Sequence, residues 1–264
     1  MDQAKNIKTD FSEIEEINLF GTEKGVNIIE SPVKSRILSL LKSNKGLNGS
    51  DIVLLTGKSK STISAHLKDL INADIVDFKP DTIDGRRKIF YIKSRYLGKL
   101  SKESEIDKDM ENYLQKQVIK SDDPFKFFKY IFRTVRVSLM EEGVNIDPIL
   151  HNAGFKVGET FNDQLKSSVT DDLLQNISQF WEKNQLGRVV VENNISITIK
   201  VYDCFECETL PVIGRPACAF ESGILTSLFS QHFNHDVEVK EIKCYAQGDD
   251  YCCFEINKSQ TIKR

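Results

Sequence analysis

SKSTISAHLKDLINADIVDFKPDTIDGRRKIFYI, residues 59–92, decides how the first third of this chain folds. Ser59 stands where a helix N-cap belongs, and Ile63, Leu67 and Leu70 follow at helical spacing. Those three face inward and leave Lys60, Ser61, Thr62, Ala65, His66 and Lys68 toward solvent. Two β-prone runs, 75–79 and 88–92, then flank a turn at Asp84-Gly85, a strong hairpin signal. The hairpin tip presents Arg86, Arg87 and Lys88.

Working outward, residues 31–43 open with Ser31 as N-cap and Pro32 at the first helical position, and Ile37, Leu38 and Leu41 form an apolar face. A short helix over 49–55 ends at Thr56-Gly57. Three helices followed by a hairpin with a basic tip is the order of a winged helix-turn-helix, whose third helix enters the major groove of double-stranded DNA while the wing touches backbone. The charge distribution agrees. The net charge is -3, yet residues 56–99 hold ten Lys and Arg against five Asp and Glu, which leaves -8 on the rest. A basic segment in an acidic chain predicts a local polyanion contact.

The quoted stretch resembles the recognition helix and wing of ArsR-type regulators, in its serine- and threonine-rich helix start, its His-Leu-Lys core and its basic wing. The resemblance covers residues 28–98. The thiolate metal site that this family carries on the recognition helix has no counterpart, because residues 1–203 hold no cysteine.

With 264 residues, 40% hydrophobic and 28% charged, the chain can bury a core and divides into two domains. No apolar run approaches the roughly 20 residues that span a bilayer, and the start, MDQAKNIKTDFSEIEE, lacks an apolar signal-peptide core. A cytoplasmic protein with no membrane partner is expected. Residues 1–27 read as an N-terminal arm of no assigned role, and 99–123 as a linker. Within the linker Ile106, Met110, Leu114 and Val118 form a stripe at four-residue spacing. That stripe serves either to pack on a neighbouring domain or to join a homodimer, as two-fold operators require.

Residues 124–264 read as an α+β domain with an antiparallel sheet. Phe128, Ile131, Phe132, Val135 and Leu139 are expected to turn one helix face into the core. A second helix carries Gly154 and Gly158, spaced for close helix packing, and Thr170 caps a third with Leu173, Leu174, Ile177, Phe180 and Trp181. Strands follow with Ile195, Ile197, Ile199 and Val201 alternating, then a helix over 216–233 and two strands near 237–244 and 251–256. His232 and His235 read as surface residues near a helix end.

All six cysteines lie between Cys204 and Cys253, in YDCFEC, PACAFESG and KEIKCYAQGDDYCCFEI. In a chain outside the secretory route such clustering indicates a metal site or a redox switch. Cys204 and Cys207 have the spacing of a metal knuckle or a redox dithiol. Adjacent strand residues point to opposite faces, so Cys252 and Cys253 do not share one ion. A four-thiolate set of Cys204, Cys207, Cys244 and Cys252 is one assignment the spacing permits.

The three cysteine pieces resemble the 4-vinyl reductase-type sensor domain over residues 125–257. Aromatic-compound sensors of that family hold zinc with three cysteines and a glutamate, and the resemblance carries this set onto Cys218, Glu241, Cys244 and Cys252. Such a closed tetrahedral site is structural and not hydrolytic. Cys204, Cys207 and Cys253 remain as redox candidates. The combination of the two domains resembles the methanogen-specific redox-sensing transcription regulators. It implies a homodimer that binds promoter DNA when reduced and releases it when cysteines oxidise. The competing reading is a regulator controlled by a small apolar or aromatic ligand, with zinc and thiols purely structural. No nucleotide motif, nucleophile–histidine pair or open metal site suggests an enzyme.

Overall fold

The computed structural model describes residues 16–82, 84–101, 124–193 and 196–257. The chain divides between residues 103 and 104 into two compact units. The expected linker stripe, at 106–118, falls outside the described residues, as does Ile195.

In the first unit α1 (Pro32–Asn44), α2 (Gly49–Thr56) and α3 (Lys60–Asn72) start where the sequence puts caps. Ser31 accepts from the Lys34 amide, Asn48 from Asp51 and Ser59 from Thr62. Each such bond satisfies an amide with no partner inside the helix. Gly57, at φ 65, ends α2 in the left-handed region. Ile37, Leu38, Leu41, Ile52, Ile63, Leu67 and Leu70 meet in one core.

The wing is β4 (Val76–Pro80) and β5 (Lys88–Ile92), antiparallel, with the two-residue strand β3 (Leu47–Asn48) on the far edge of β5. The reading of 1–27 as an arm needs correcting from residue 16 onward. β1 (Glu16–Thr22) and β2 (Gly25–Ile29) form a hairpin, and β1 also pairs with β6 (Arg95–Ser101). Phe20 and Ile29 anchor the hairpin in the helical core.

The second unit begins with α4 (Pro124–Glu141), the two-residue strand β7 (Val144–Asn145), α5 (Asp147–Leu165) and α6 (Thr170–Lys183). An antiparallel sheet in the order β10–β11–β9–β8 follows, from β8 (Arg188–Asn193), β9 (Ile197–Tyr202), β10 (Glu238–Lys243) and β11 (Cys252–Asn257). Between β9 and β10 lies α7 (Ala219–Phe233). Ile197, Ile199, Val201, Phe254 and Ile256 turn to the side where Leu173, Ile177, Trp181, Leu225 and Phe229 pack. α5 and α7 touch through glycine. A Cβ at Gly154 would stand 1.9 Å from the Phe220 carbonyl oxygen, and one at Gly223 would stand 2.0 Å from that of His151.

Two expectations for this unit fail. Phe128, Ile131 and Val135 of α4 are exposed, and the face that α4 buries is Arg133, Arg136, Val137 and Met140. Two arginines enter the interior because carbonyls and a carboxylate await them there. Val169, not Thr170, precedes α6. The Thr170 hydroxyl instead lies 2.9 Å from Nε2 of His232, whose Nδ1 is 3.1 Å from the Ser167 carbonyl, so His232 is a half-buried bridge and not a surface group.

Candidate metal centre and nucleic-acid interface

On α3, Lys60, Ser61, Ala65 and Lys68 are exposed as the periodicity requires. Thr62 and His66 are half-buried, which corrects the expectation that both face solvent. The Thr62 hydroxyl turns back to Ser59 Oγ at 2.8 Å, and Nδ1 of His66 is enclosed without a hydrogen-bond partner. Ser64, which the sequence reading passed over, is exposed between them. Lys60, Ser64 and Lys68 line a groove of about 590 Å³ whose other wall carries Arg87 and Lys88 of the wing. Arg86 and Arg87 are exposed at the hairpin tip, and both reach Asp84, at 3.2 and 3.5 Å. The Asp84 side chain also accepts the Arg86 amide, and its carbonyl accepts the Arg87 amide and closes the turn. Lys88 Nζ sits 3.8 Å above the Phe78 ring, which fixes it at the wing base.

In the second unit five of the six thiols converge. Cys204 and Cys207 lie in the turn after β9, Cys218 directly precedes α7, Cys244 follows β10 and Cys252 opens β11. All five are fully buried. The Cys218 sulfur lies 3.0 Å from Cys207, 3.6 Å from Cys252 and 3.9 Å from Cys244. Cys207 is 3.1 Å from Cys252 and 3.6 Å from Cys244, and Cys252 is 4.0 Å from Cys244. Cys204 is 3.6 Å from Cys218 and donates to Glu221 Oε2 at 3.4 Å. Cys253 stands apart. It pairs across the sheet with Lys200 and Lys243 and is outside the core that holds Cys252.

Three carboxylates border the cluster. Glu241 Oε2 accepts the Cys218 amide at 2.9 Å, and its Oε1 is buried with no hydrogen-bond partner. Burial, reinforced by the charge on Cys244, pushes the Glu241 carboxyl up to about 10. Burial also holds Glu221 well above the usual carboxylate range, although Trp181 Nε1 donates to it. Glu206 accepts the Phe220 and Glu221 amides, at 3.1 and 3.0 Å, and so caps α7. Burial raises it to about 7, against the pull of Arg136.

Arg133 and Arg136 are the buried cations among the described residues. Arg133 donates to the Cys204 carbonyl at 2.7 Å, to the Phe205 carbonyl at 2.9 Å and to Thr209 Oγ1 at 2.9 Å. Arg136 reaches Glu206 at 2.6 Å and Asp147 at 2.8 Å. The two arginines thus grip the Cys204–Cys207 knuckle from α4. Sequence reading missed them, although two arginines three apart in an otherwise apolar helix are a signal of a buried polar partner.

These donors fit a soft divalent ion. A tetrahedral ion with metal–sulfur bonds of about 2.3 Å sets its sulfurs about 3.8 Å apart, close to the spacings here. A buried set of thiols around an orphaned carboxylate oxygen also lacks counter-charge that such an ion would supply. Cys218, Glu241, Cys244 and Cys252 each offer a ligand atom within 4.8 Å of the others, and so do Cys204, Cys207, Cys218 and Cys252. Among the described residues no helix is long and apolar enough to cross a membrane.

Residues 31–77 match the model of the bacterial regulatory protein arsR family, and residues 197–258 match that of the vinyl-4-reductase (V-4-R) domain. Two uncharacterized proteins of Methanocaldococcus jannaschii are relatives. MJ1642 is 29% identical over 126 residues, 48% of this chain and 74% of its own. MJ0745 is 26% identical over 160 residues, 60% of this chain and 83% of its own. Among solved structures, a vinyl-4-reductase family protein of Methanocaldococcus jannaschii aligns at a TM-score of 0.36 and 17% identity, covering 57% of this chain and 90% of that one. The phenol-responsive sensory domain of the transcription activator PoxR aligns at 0.40 and 14%, covering 74% and 89%. In sequence, then, the chain joins a segment similar to arsR-family regulators to a segment similar to vinyl-4-reductase domains.

Proposed function

We propose that this chain is a transcription regulator that binds promoter DNA as a homodimer through α3 and the wing, and that the thiol cluster of the second unit controls that binding. The observation that carries this reading is a pairing on one chain. An arsR-like segment with a basic reading face is joined to a vinyl-4-reductase-like segment with five converging buried thiols. Residues 101–120 join the two copies in this account.

Zinc is the proposed ion, held by Cys218, Cys244 and Cys252 with a fourth donor, for which the family resemblance implies Glu241. Its chemistry is structural: a closed cage adds folding energy. Cys204 and Cys207, with sulfurs within 4.8 Å of each other, are the proposed switch. A peroxide-class oxidant takes two electrons and two protons from the two thiols and leaves as two waters, and one sulfur–sulfur bond forms. Closing that bond to about 2.05 Å moves the knuckle. Arg133 and Arg136 carry the movement to α4, the first described helix after the 102–123 segment. A coupling of about 1–3 kcal/mol shifts affinity between about 5- and 150-fold. Cys253, remote from the five, is proposed as a slower, independent thiol. Thiol counting by mass spectrometry on reduced and peroxide-treated protein tests the assignment. Loss confined to Cys204 and Cys207 supports it, and loss confined to Cys253 refutes it.

A further inference from the structure

The cluster offers more donors than one tetrahedral ion can use, and the geometry selects among them. We infer that the fourth ligand is Cys207, so that Cys207, Cys218, Cys244 and Cys252 form an all-thiolate cage and Glu241 positions a ligand without being one. The inference rests on the reading of the cluster as a zinc centre and assigns its donor set.

Three observations carry it. First, these four sulfurs are mutually within 3.0–4.0 Å along all six edges, the set that a cage with edges of about 3.8 Å calls for. Second, Cys204 has another partner: its thiol donates to Glu221, which itself accepts from Trp181. Third, Glu241 is already engaged through Oε2 with the Cys218 amide. That bond fixes the turn presenting Cys218 at the start of α7, which is how groups around a metal ligand usually act.

The placement of Cys207 has a local cause. The Cys204 carbonyl accepts from the Glu208 amide and from Arg133, and the Cys207 carbonyl accepts from the Leu210 amide. The turn is therefore closed on itself and clamped by α4, with the Cys207 sulfur directed into the cage. As a ligand, Cys207 would tie the ion to the knuckle, and loss of the ion would free Cys207 beside Cys204.

X-ray absorption at the zinc edge on reduced, full-length chain tests the donor set, with thiolate-to-cobalt charge-transfer intensity of the cobalt-loaded chain as a second readout. Four sulfur neighbours are expected. Cys207→Ser should lower the count to three and weaken the charge-transfer bands. Glu241→Gln should leave four sulfurs while weakening zinc affinity roughly 10- to 100-fold, as lost support around metal ligands does, and Cys204→Ser should leave four. Should Cys207→Ser fail to fold, the other two variants still decide. Three sulfurs and one oxygen in the wild-type chain, or a donor set altered by Glu241→Gln, would overturn the inference. A chain that takes up neither zinc nor cobalt would overturn the metal reading itself, and the donor assignment with it.

Discussion

The Arg136 guanidinium lies 2.6 Å from a carboxylate oxygen of Glu206, and both groups are buried. The same carboxylate caps α7 through the Phe220 and Glu221 amides. One ion pair therefore fastens α4, the cysteine knuckle and the start of α7, which are the elements flanking the cluster. A buried pair is costly to halve, because the remaining charge stays in the interior without compensation. Arg136→Met should destabilise the reduced, zinc-loaded protein by about 3–5 kcal/mol in chemical denaturation. Adding Glu206→Gln should recover part of that loss. A change under about 1 kcal/mol for Arg136→Met would show that the pair is not buried as described.

Arg133 holds the knuckle by its backbone, through the Cys204 and Phe205 carbonyls. If it transmits the thiol state to α4, Arg133→Met should retain zinc and reduced-state DNA binding. The affinity ratio between reduced and oxidised protein should then shrink toward one, as measured by fluorescence anisotropy. An unchanged ratio would place the transmission elsewhere.

Close helix approach through glycine yields a packing prediction. A methyl at Gly154 meets the Phe220 carbonyl at 1.9 Å, and a methyl at Gly85 in the wing turn meets nothing within 4 Å. Overpacking usually costs about 1–3 kcal/mol and occasionally more. Gly154→Ala should reach about 3 kcal/mol, because the obstacle is backbone, and Gly85→Ala should cost far less. Thermal denaturation of the two variants checks the contrast.

Much of the first unit was legible in sequence, since Ser31, Asn48, Ser59 and Gly57 write its helix ends locally and Asp84-Gly85 writes its hairpin. The β1–β2 hairpin was not read, although Leu19 and Phe20 lead to a turn at Lys24-Gly25, because its strands are short and its third strand lies some 75 residues away. The sheet of the second unit followed from the alternation of Ile197, Ile199 and Val201. α4 misled, since periodicity shows that a helix has two faces but not which is buried. Arg133 and Arg136 settled that through carbonyls and a carboxylate some 70 residues distant. The candidate ligands were all named from spacing and resemblance. The convergence of Cys207 with Cys218, Cys244 and Cys252 was not, because it depends on how the knuckle is clamped.

The wing supplies a test of the nucleic-acid interface. Arg86→Ala with Arg87→Ala should weaken binding to all duplexes alike. It should also flatten the dependence of log K on log salt by about 0.9 for each phosphate the wing no longer neutralises. Asp84→Asn, which keeps the oxygen that accepts the Arg86 amide but removes the charge facing both guanidiniums, should raise affinity at low salt. An unchanged salt slope in the double variant would remove the wing from the interface.

The most direct test of redox-controlled DNA binding starts from duplexes selected out of a random library by the reduced, zinc-quantified, full-length chain. Their affinity is then measured before and after peroxide treatment, and again after thiol reduction. The account predicts at least roughly tenfold weaker binding on oxidation, recovered on reduction, with the loss abolished in Cys204→Ser. Equal affinity in both states, or failure of the reduced chain to select any duplex, would contradict it.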